Sequence, residues 1–411
     1  MTEKKINRLP IEGEKGVFPD HPAIKTPWHK LISFHDTHHY ACRHISCVAA
    51  SFMQVLRIIM PDYKERATAL VNTNSPRYAN LYLIPGMHEN HKERHNLPPF
   101  VKGTMIGALA GDQGDEANLM AGRVVDYDTY RFEKELDTCP WDIIGSELCR
   151  TTVAYFGALA NTFGEPHMEF NMVEARGCGD LHCRIVAENR EKFPMPPRKE
   201  VYETFGPIAT ADQIKFTPED QCYKEPQQFR PESGGMYRSA YCAEWTAAEE
   251  FDIVVAQSLG TNDIVAVLDT LEDEKERIEH VTRCVFEAAG KMAFSEFTSI
   301  KGIRDWLGVP ADLNDGRVLG GLIEVELQAT MIDYTIEAFD EKNVILDINR
   351  EALEKGGLGY DMALVTTAYL SMWYGMAKTL IGAQWSVWRE TEGVPENILR
   401  IKIAKKIDKY C

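Results

Sequence analysis

The chain has 411 residues, a formal net charge of −17, and 44% hydrophobic residues. That is enough chain for two or three domains with sizeable cores. The acidic balance is not relieved by any local run of Lys and Arg, which argues against nucleic acid and anionic membranes as partners, since both require a positive field.

Residues 1–30 are polar and broken by Pro10, Pro19, Pro22 and Pro27. They read as an extended N-terminal arm suited to packing on another subunit of a homo-oligomer. They contain no apolar signal region, so a cytoplasmic location is expected. Ten cysteines in that setting favour reduced thiols, and metal binding over disulfides. Residues 31–60 form a long helix that Pro61 ends. Helix and polar loop follow over 61–100. The small-residue stretch 103–122 holds no dinucleotide or Walker spacing. Residues 124–132 alternate like a strand. A helix over 152–159 leads to a strand at 168–174, a tight turn at 175–181, and a second strand from Cys183.

Seven prolines and a closing Gly-Gly mark 193–239 as a linker. Helical periodicity returns at 243–259 and 263–297. Residues 306–321 read as loop-rich, 331–339 as a strand, and 362–380 as a buried helix whose uncharged run is too short to span a membrane. Strands at 385–390 and 398–404 finish the chain.

The two halves end alike. TTVAYFGALANTFG precedes the 168–174 strand, and TTAYLSMWYGMAKTLIG precedes the 385–390 strand. Tyr155 matches Tyr369, Glu174 matches Glu390, and Arg184 matches Arg400, with ten residues from Glu to Arg in both copies. VVDYD at 124–128 is aligned with MIDYT at 331–335, pairing Asp126 with Asp333. The expected fold is therefore α+β, two tandem copies of a helix-plus-antiparallel-sheet domain. The first copy covers 31–192, the linker 193–239, and the second copy 240–411.

Four groups sit at the joints of the 149–183 stretch: Cys149, Glu174, Cys178 and Cys183. Three thiolates and a carboxylate match tetrahedral Zn²⁺ in a structural site. The alternative is a set of buried free thiols beside a hairpin. In the second copy the thiol positions carry Val394, Leu399 and about Ala363, so the first copy alone is expected to hold zinc. The order Cys, helix, strand, then E-x3-C-x4-C resembles the end of the 4-vinyl reductase domain. That small α+β module has the ligand-binding fold of nitric-oxide-signalling and Golgi-transport proteins. The resemblance implies zinc on Cys149, Glu174, Cys178 and Cys183. The ending Gly179-Asp180-x-x-Cys183 is also similar to the L-2-amino-thiazoline-4-carboxylic acid hydrolase family.

Nine of the twelve histidines lie between His21 and His95, densest at His35, His38, His39 and His44. On a helix, His35 and His39 share a face, as do His38 and Cys42, a spacing suited to a second divalent metal. Neutral imidazoles there also serve as general bases near pH 7. The opposing reading is a solvated polar first turn. The expected function is a hydrolase opening a small cyclic compound at a C–N or activated C–C bond, with metal- or His-activated water. The alternative is a non-catalytic module that binds a small aromatic or hydrophobic ligand.

Overall fold

The computed structural model describes residues 24–32, 34–82, 122–127, 131–137, 139, 141–149, 168–189, 191–192, 261–297, 300–329, 332–355 and 363–406. They fall into two compact units, one drawn from 56–229 with 259–270 and the other from 19–55 with 271–411. Helix α1, Phe34–Ile59, counts with the second unit through residue 55 and with the first for its last turn. Among the described residues no helix is long and apolar enough to cross a membrane.

In the first unit, Pro61 stops α1 and Asp62 starts α2, Tyr63–Tyr82. The Asp62 carboxylate accepts the Glu65 backbone N–H at 2.8 Å, satisfying a donor that the first helical turn leaves open. Arg66 donates to the carbonyls of Met60 and Pro61 at 2.8 and 2.7 Å. Its other nitrogen donates to Glu147, which Arg57 also holds; Glu147 is 2% exposed.

Four strands follow: β3 Gly122–Tyr127, β4 Arg131–Leu136, β5 Met168–Glu174 and β6 Cys183–Asn189. They form an antiparallel sheet in the order β3-β4-β6-β5. The stretch read as one strand over 124–132 is thus divided between two. On β4 the buried Glu133 accepts from Arg131 and Arg184. Burial alone would raise its carboxyl, but the two guanidiniums hold it below the usual range.

The second unit opens with a two-residue pair, β1 Ile24–Lys25 and β2 Leu31–Ile32. Among the described residues, four helices and four strands follow α1 in this unit, with a short helix, α6 Arg350–Lys355, between them. The helices are α3 Lys275–Phe297, α4 Ile300–Leu307, α5 Gly316–Ala329 and α7 Ala363–Leu380. The strands are β7 Tyr334–Phe339, β8 Asn343–Asn349, β9 Trp385–Glu390 and β10 Ile398–Lys405, in the order β7-β8-β10-β9, all antiparallel. The part of the N-terminal arm within the described residues lies on its own chain. Thr26 Oγ1 donates to the Leu307 carbonyl at 2.9 Å, and Lys30 Nζ donates to that of Asp305. Of residues 306–321, read as loop-rich, 308–315 join two helices, while 306–307 end α4 and 316–321 begin α5.

Alternation decides which sheet face is buried. Val344, Leu346 and Ile348 on β8, with Leu399, Ile401 and Ile403 on β10, are fully buried, as are Val318, Leu319, Leu322 and Ile323 on α5. Helices α3 and α7 cross in backbone contact. A Cβ on Gly290 would stand 2.0 Å from the Met372 carbonyl oxygen, and one on Gly375 would stand 2.2 Å from that of Glu287.

The two sheets share strand order, a bulge in the first strand, and one cross-strand pair. Glu174 faces Arg184 in the first sheet, and Glu390 faces Arg400 in the second. The bulge falls between Val124 and Asp126 in β3, and between Ile336 and Ala338 in β7. This corrects the sequence alignment of VVDYD. Pairing places Val124 opposite the role of Ile336, and Asp126 in the position of Ala338, so Asp333 lies upstream of the comparable strand. The letters of MIDYT matched, but its pairing register does not.

Candidate functional site

Helix α1 carries a polar stripe on an otherwise apolar face of the second unit. Tyr40 and His44 are one turn apart and point to one side of the helix. Across from them, α5 presents Glu326 and α7 presents Tyr369 and Trp373. His44 is 4% exposed, Glu326 3% and Trp373 1%. The Tyr40 hydroxyl donates to Glu326 Oε1 at 2.7 Å, and Trp373 Nε1 donates to Glu326 Oε2 at 3.1 Å. His44 Nδ1 lies 3.6 Å from Glu326 Oε1. Its Nε2 is buried and has no hydrogen-bond partner among the described residues.

Aromatic rings surround this centre. The Tyr40 ring is stacked with His44 at 6.0 Å and tilted against Trp306 at 5.1 Å. Tyr369 lies 5.9 Å from His44 and 5.3 Å from Trp373. Burial pushes the Tyr40 phenol well above its ordinary range, and the Glu326 carboxylate adds to the shift. Burial does the same for Tyr369, again with Glu326 contributing. Both hydroxyls therefore remain neutral donors.

The chemistry follows from the two imidazole nitrogens. The tautomer that places a proton on Nδ1, facing Glu326, leaves a lone pair on Nε2. Such a nitrogen accepts a proton, and the carboxylate behind it stabilises the imidazolium that results.

No protein-family model, curated protein or solved structure matches the chain.

Of the histidines singled out in the sequence, His44 alone has a described side chain. His35, His38 and His39 lie on α1, and their side chains fall outside the described residues. Glu326 and Trp373 were not singled out in the sequence. The available signal was a pair of acids, Glu324 and Glu326, inside the apolar stretch 322–327.

In the first unit, the proposed zinc residues occupy one corner. Cys183 is buried, Cys149 half-buried and Cys178 exposed. The Arg176 backbone N–H donates to Cys183 Sγ at 3.3 Å. Gly177 lies directly against Cys149, where a Cβ would stand 2.7 Å from Sγ. Glu174 ends β5 opposite Arg184. Cys139 shares this corner: burial raises its thiol, and Cys149 and Cys183 add to the shift. Among the described residues no three His, Cys, Asp or Glu side chains are placed to hold a metal ion.

Proposed function

We propose that the chain is a hydrolase that opens a small ring at a C–N or activated C–C bond, with His44 activating the attacking water. One observation carries the reading: a buried imidazole set against Glu326 through Nδ1 while Nε2 has no partner among the described residues. Water bound at Nε2 gives up a proton to it as its oxygen attacks the ring carbon. The imidazolium then returns that proton to the leaving nitrogen, or to the leaving carbon where a C–C bond is the one broken. General-base assistance of this kind contributes roughly 10²–10⁴-fold. Tyr40 and Trp373 hold the Glu326 carboxylate, and so the imidazole, in position.

The fold reading that accompanies it is two tandem copies of the 4-vinyl-reductase-like ligand-binding module. Shared strand order, bulge position and Glu–Arg pair support it. Structural zinc in the first copy is a further proposal, supported by the gathering of Cys149 and Cys183 at one turn. The second functional reading is a non-catalytic pocket for an aromatic ligand, favoured by the rings of Tyr40, Trp306, Tyr369 and Trp373.

The test is a mass-spectrometric screen of small cyclic amides, imines and thiazolines for gain of one water. Ring opening that falls at least about 100-fold in His44→Gln supports the hydrolase. Undiminished turnover in that variant removes His44 from the mechanism. A compound that binds stoichiometrically and is recovered unchanged supports the pocket reading.

A further inference from the structure

Cross-strand pairing shapes the face of the second sheet that points away from its core. Ala404 on β10 is paired with Asn343 on β8 and with Ser386 on β9, so three short side chains lie in one row. The neighbouring row on the same face is Ile345, Lys402 and Trp388, all longer. At this step in height lies a surface cleft of about 600 Å³ with Trp388 in its wall. Lys342, from the turn between β7 and β8, Asp315, the residue before α5, and Lys405, the last residue of β10, complete it. Its size is within the roughly 300–1,000 Å³ of small-molecule sites. The Trp388 side chain is 36% exposed there, with Lys402 Nζ 5.8 Å from the ring centre and tied to Glu390 at 3.0 Å.

The charges around the indole do not cancel within the cleft. Arg317 holds Asp315 through two bonds at 2.9 and 2.6 Å, and Glu390 holds Lys402. Lys405 rests 5.6 Å over the Trp385 ring. Among the described residues the ammonium groups of Lys342 and Lys405 make no ion pair, and Glu341 is the one cleft carboxylate in the same condition. Two uncompensated ammoniums against one carboxylate favour an anion, and an open indole face favours a flat ring. We infer that this cleft binds a small planar aromatic anion, its ring stacked on Trp388 and its carboxylate or phosphate held by Lys342 and Lys405. None of the lining residues belongs to the His44 site, so the inference stands without the hydrolase reading. A neutral ring leaves the two ammoniums uncompensated, and an aliphatic anion leaves the indole in water, so both classes should bind more weakly.

The probe is naphthalene-2-carboxylate, titrated calorimetrically into the full-length protein at neutral pH, and one-to-one binding is expected. Naphthalene-2-methanol lacks the charge and cyclohexanecarboxylate lacks the ring. Each should bind at least about tenfold more weakly, because a stacked ring and a charge-assisted contact each contribute about one power of ten. Trp388→Ala and Lys405→Gln should weaken the naphthoate by a similar factor. Lys342→Gln changes an exposed turn residue, the least disturbing of the three to folding, and should do the same. In wild-type protein, saturating naphthoate should slow acetylation of Lys342 and Lys405 by an N-hydroxysuccinimide ester, read by peptide mass spectrometry. The exposed Lys275 at the head of α3 is the reference and should be unaffected. AMP separates the sources of the anion: tighter binding than the naphthoate assigns a nucleotide phosphate, and weaker binding assigns an aromatic carboxylate. Absence of saturable binding by both probes overturns the inference. So does binding that all three variants leave unchanged; if that binding is lost in His44→Gln, the probe sits among the rings around His44 instead.

Discussion

Tyr40→Phe removes one oxygen atom and leaves the ring in place. What is lost is a 2.7 Å bond to a carboxylate that is 3% exposed, so no bulk water replaces it. A hydrogen bond to a charged group is worth about 1.5–3 kcal/mol, and an acceptor stranded in the interior places the cost toward the upper end. For a unit of this size each kcal/mol moves the melting midpoint by roughly 2–4 °C, so a drop of about 3–12 °C is expected. Calorimetry on the full chain, with urea unfolding followed by circular dichroism, measures it. The matched control is Tyr374→Phe. That hydroxyl is paired at 2.8 Å with Lys406 at the surface, where such a contact contributes about 0–1 kcal/mol. If the two variants melt together, Glu326 is not a buried acceptor, and the site built around it fails with that result.

Gly375→Ala places a Cβ 2.2 Å from the Glu287 carbonyl oxygen, so α3 and α7 must separate; the cost is about 3 kcal/mol, readable as a lowered urea midpoint. Glu147 provides the pH test. Burial alone would raise its carboxyl, but Arg57 and Arg66 bring it below the usual range. Its contribution is therefore complete above the unfolded value of about 4.3 and is lost as pH falls through the lower folded value. The stability gap between wild type and Glu147→Gln should be widest near pH 7 and narrow below about pH 4; a gap independent of pH refutes this. Elemental analysis of protein purified without added metal should find zinc that disappears in Cys178→Ser and Cys183→Ser and survives His35→Ala. Metal-free protein with intact folding would end the zinc proposal.

The elements with clean periodicity were legible. Strands β5 and β9 begin and end where their residues suggest, and α1 stops at Pro61. Helix α5 was hidden by Gly320-Gly321, which read as loop. Both glycines are there for space: a Cβ on Gly320 would meet Val344 at 2.6 Å, and one on Gly321 would meet the Trp28 ring at 2.7 Å. Long-range neighbours impose that requirement, and no local pattern records it. Strand β8 is obscured in the sequence because Asn343, Asp347 and Asn349 break its apolar run, yet these polar residues stand on its outer face. His44 could be read as a candidate from composition alone. Its partner could not, since Glu326 lies 282 positions away and only folding brings it within 3.6 Å.

The crossing of α3 and α7 also limits how the second unit can move. Helices separated by layers of side chains slide past one another by small rotamer adjustments, the usual shear motion of closing enzymes. Here peptide groups touch at Gly290 and Gly375, so sliding drives backbone into backbone. Tyr369 and Trp373, on the same helix as Gly375, are therefore held at a constant height. If the proposed site at His44 takes a ligand, its entry cannot depend on shear at this crossing and would need side-chain rotation around His44, or displacement of α1 with loss of the Tyr40–Glu326 bond.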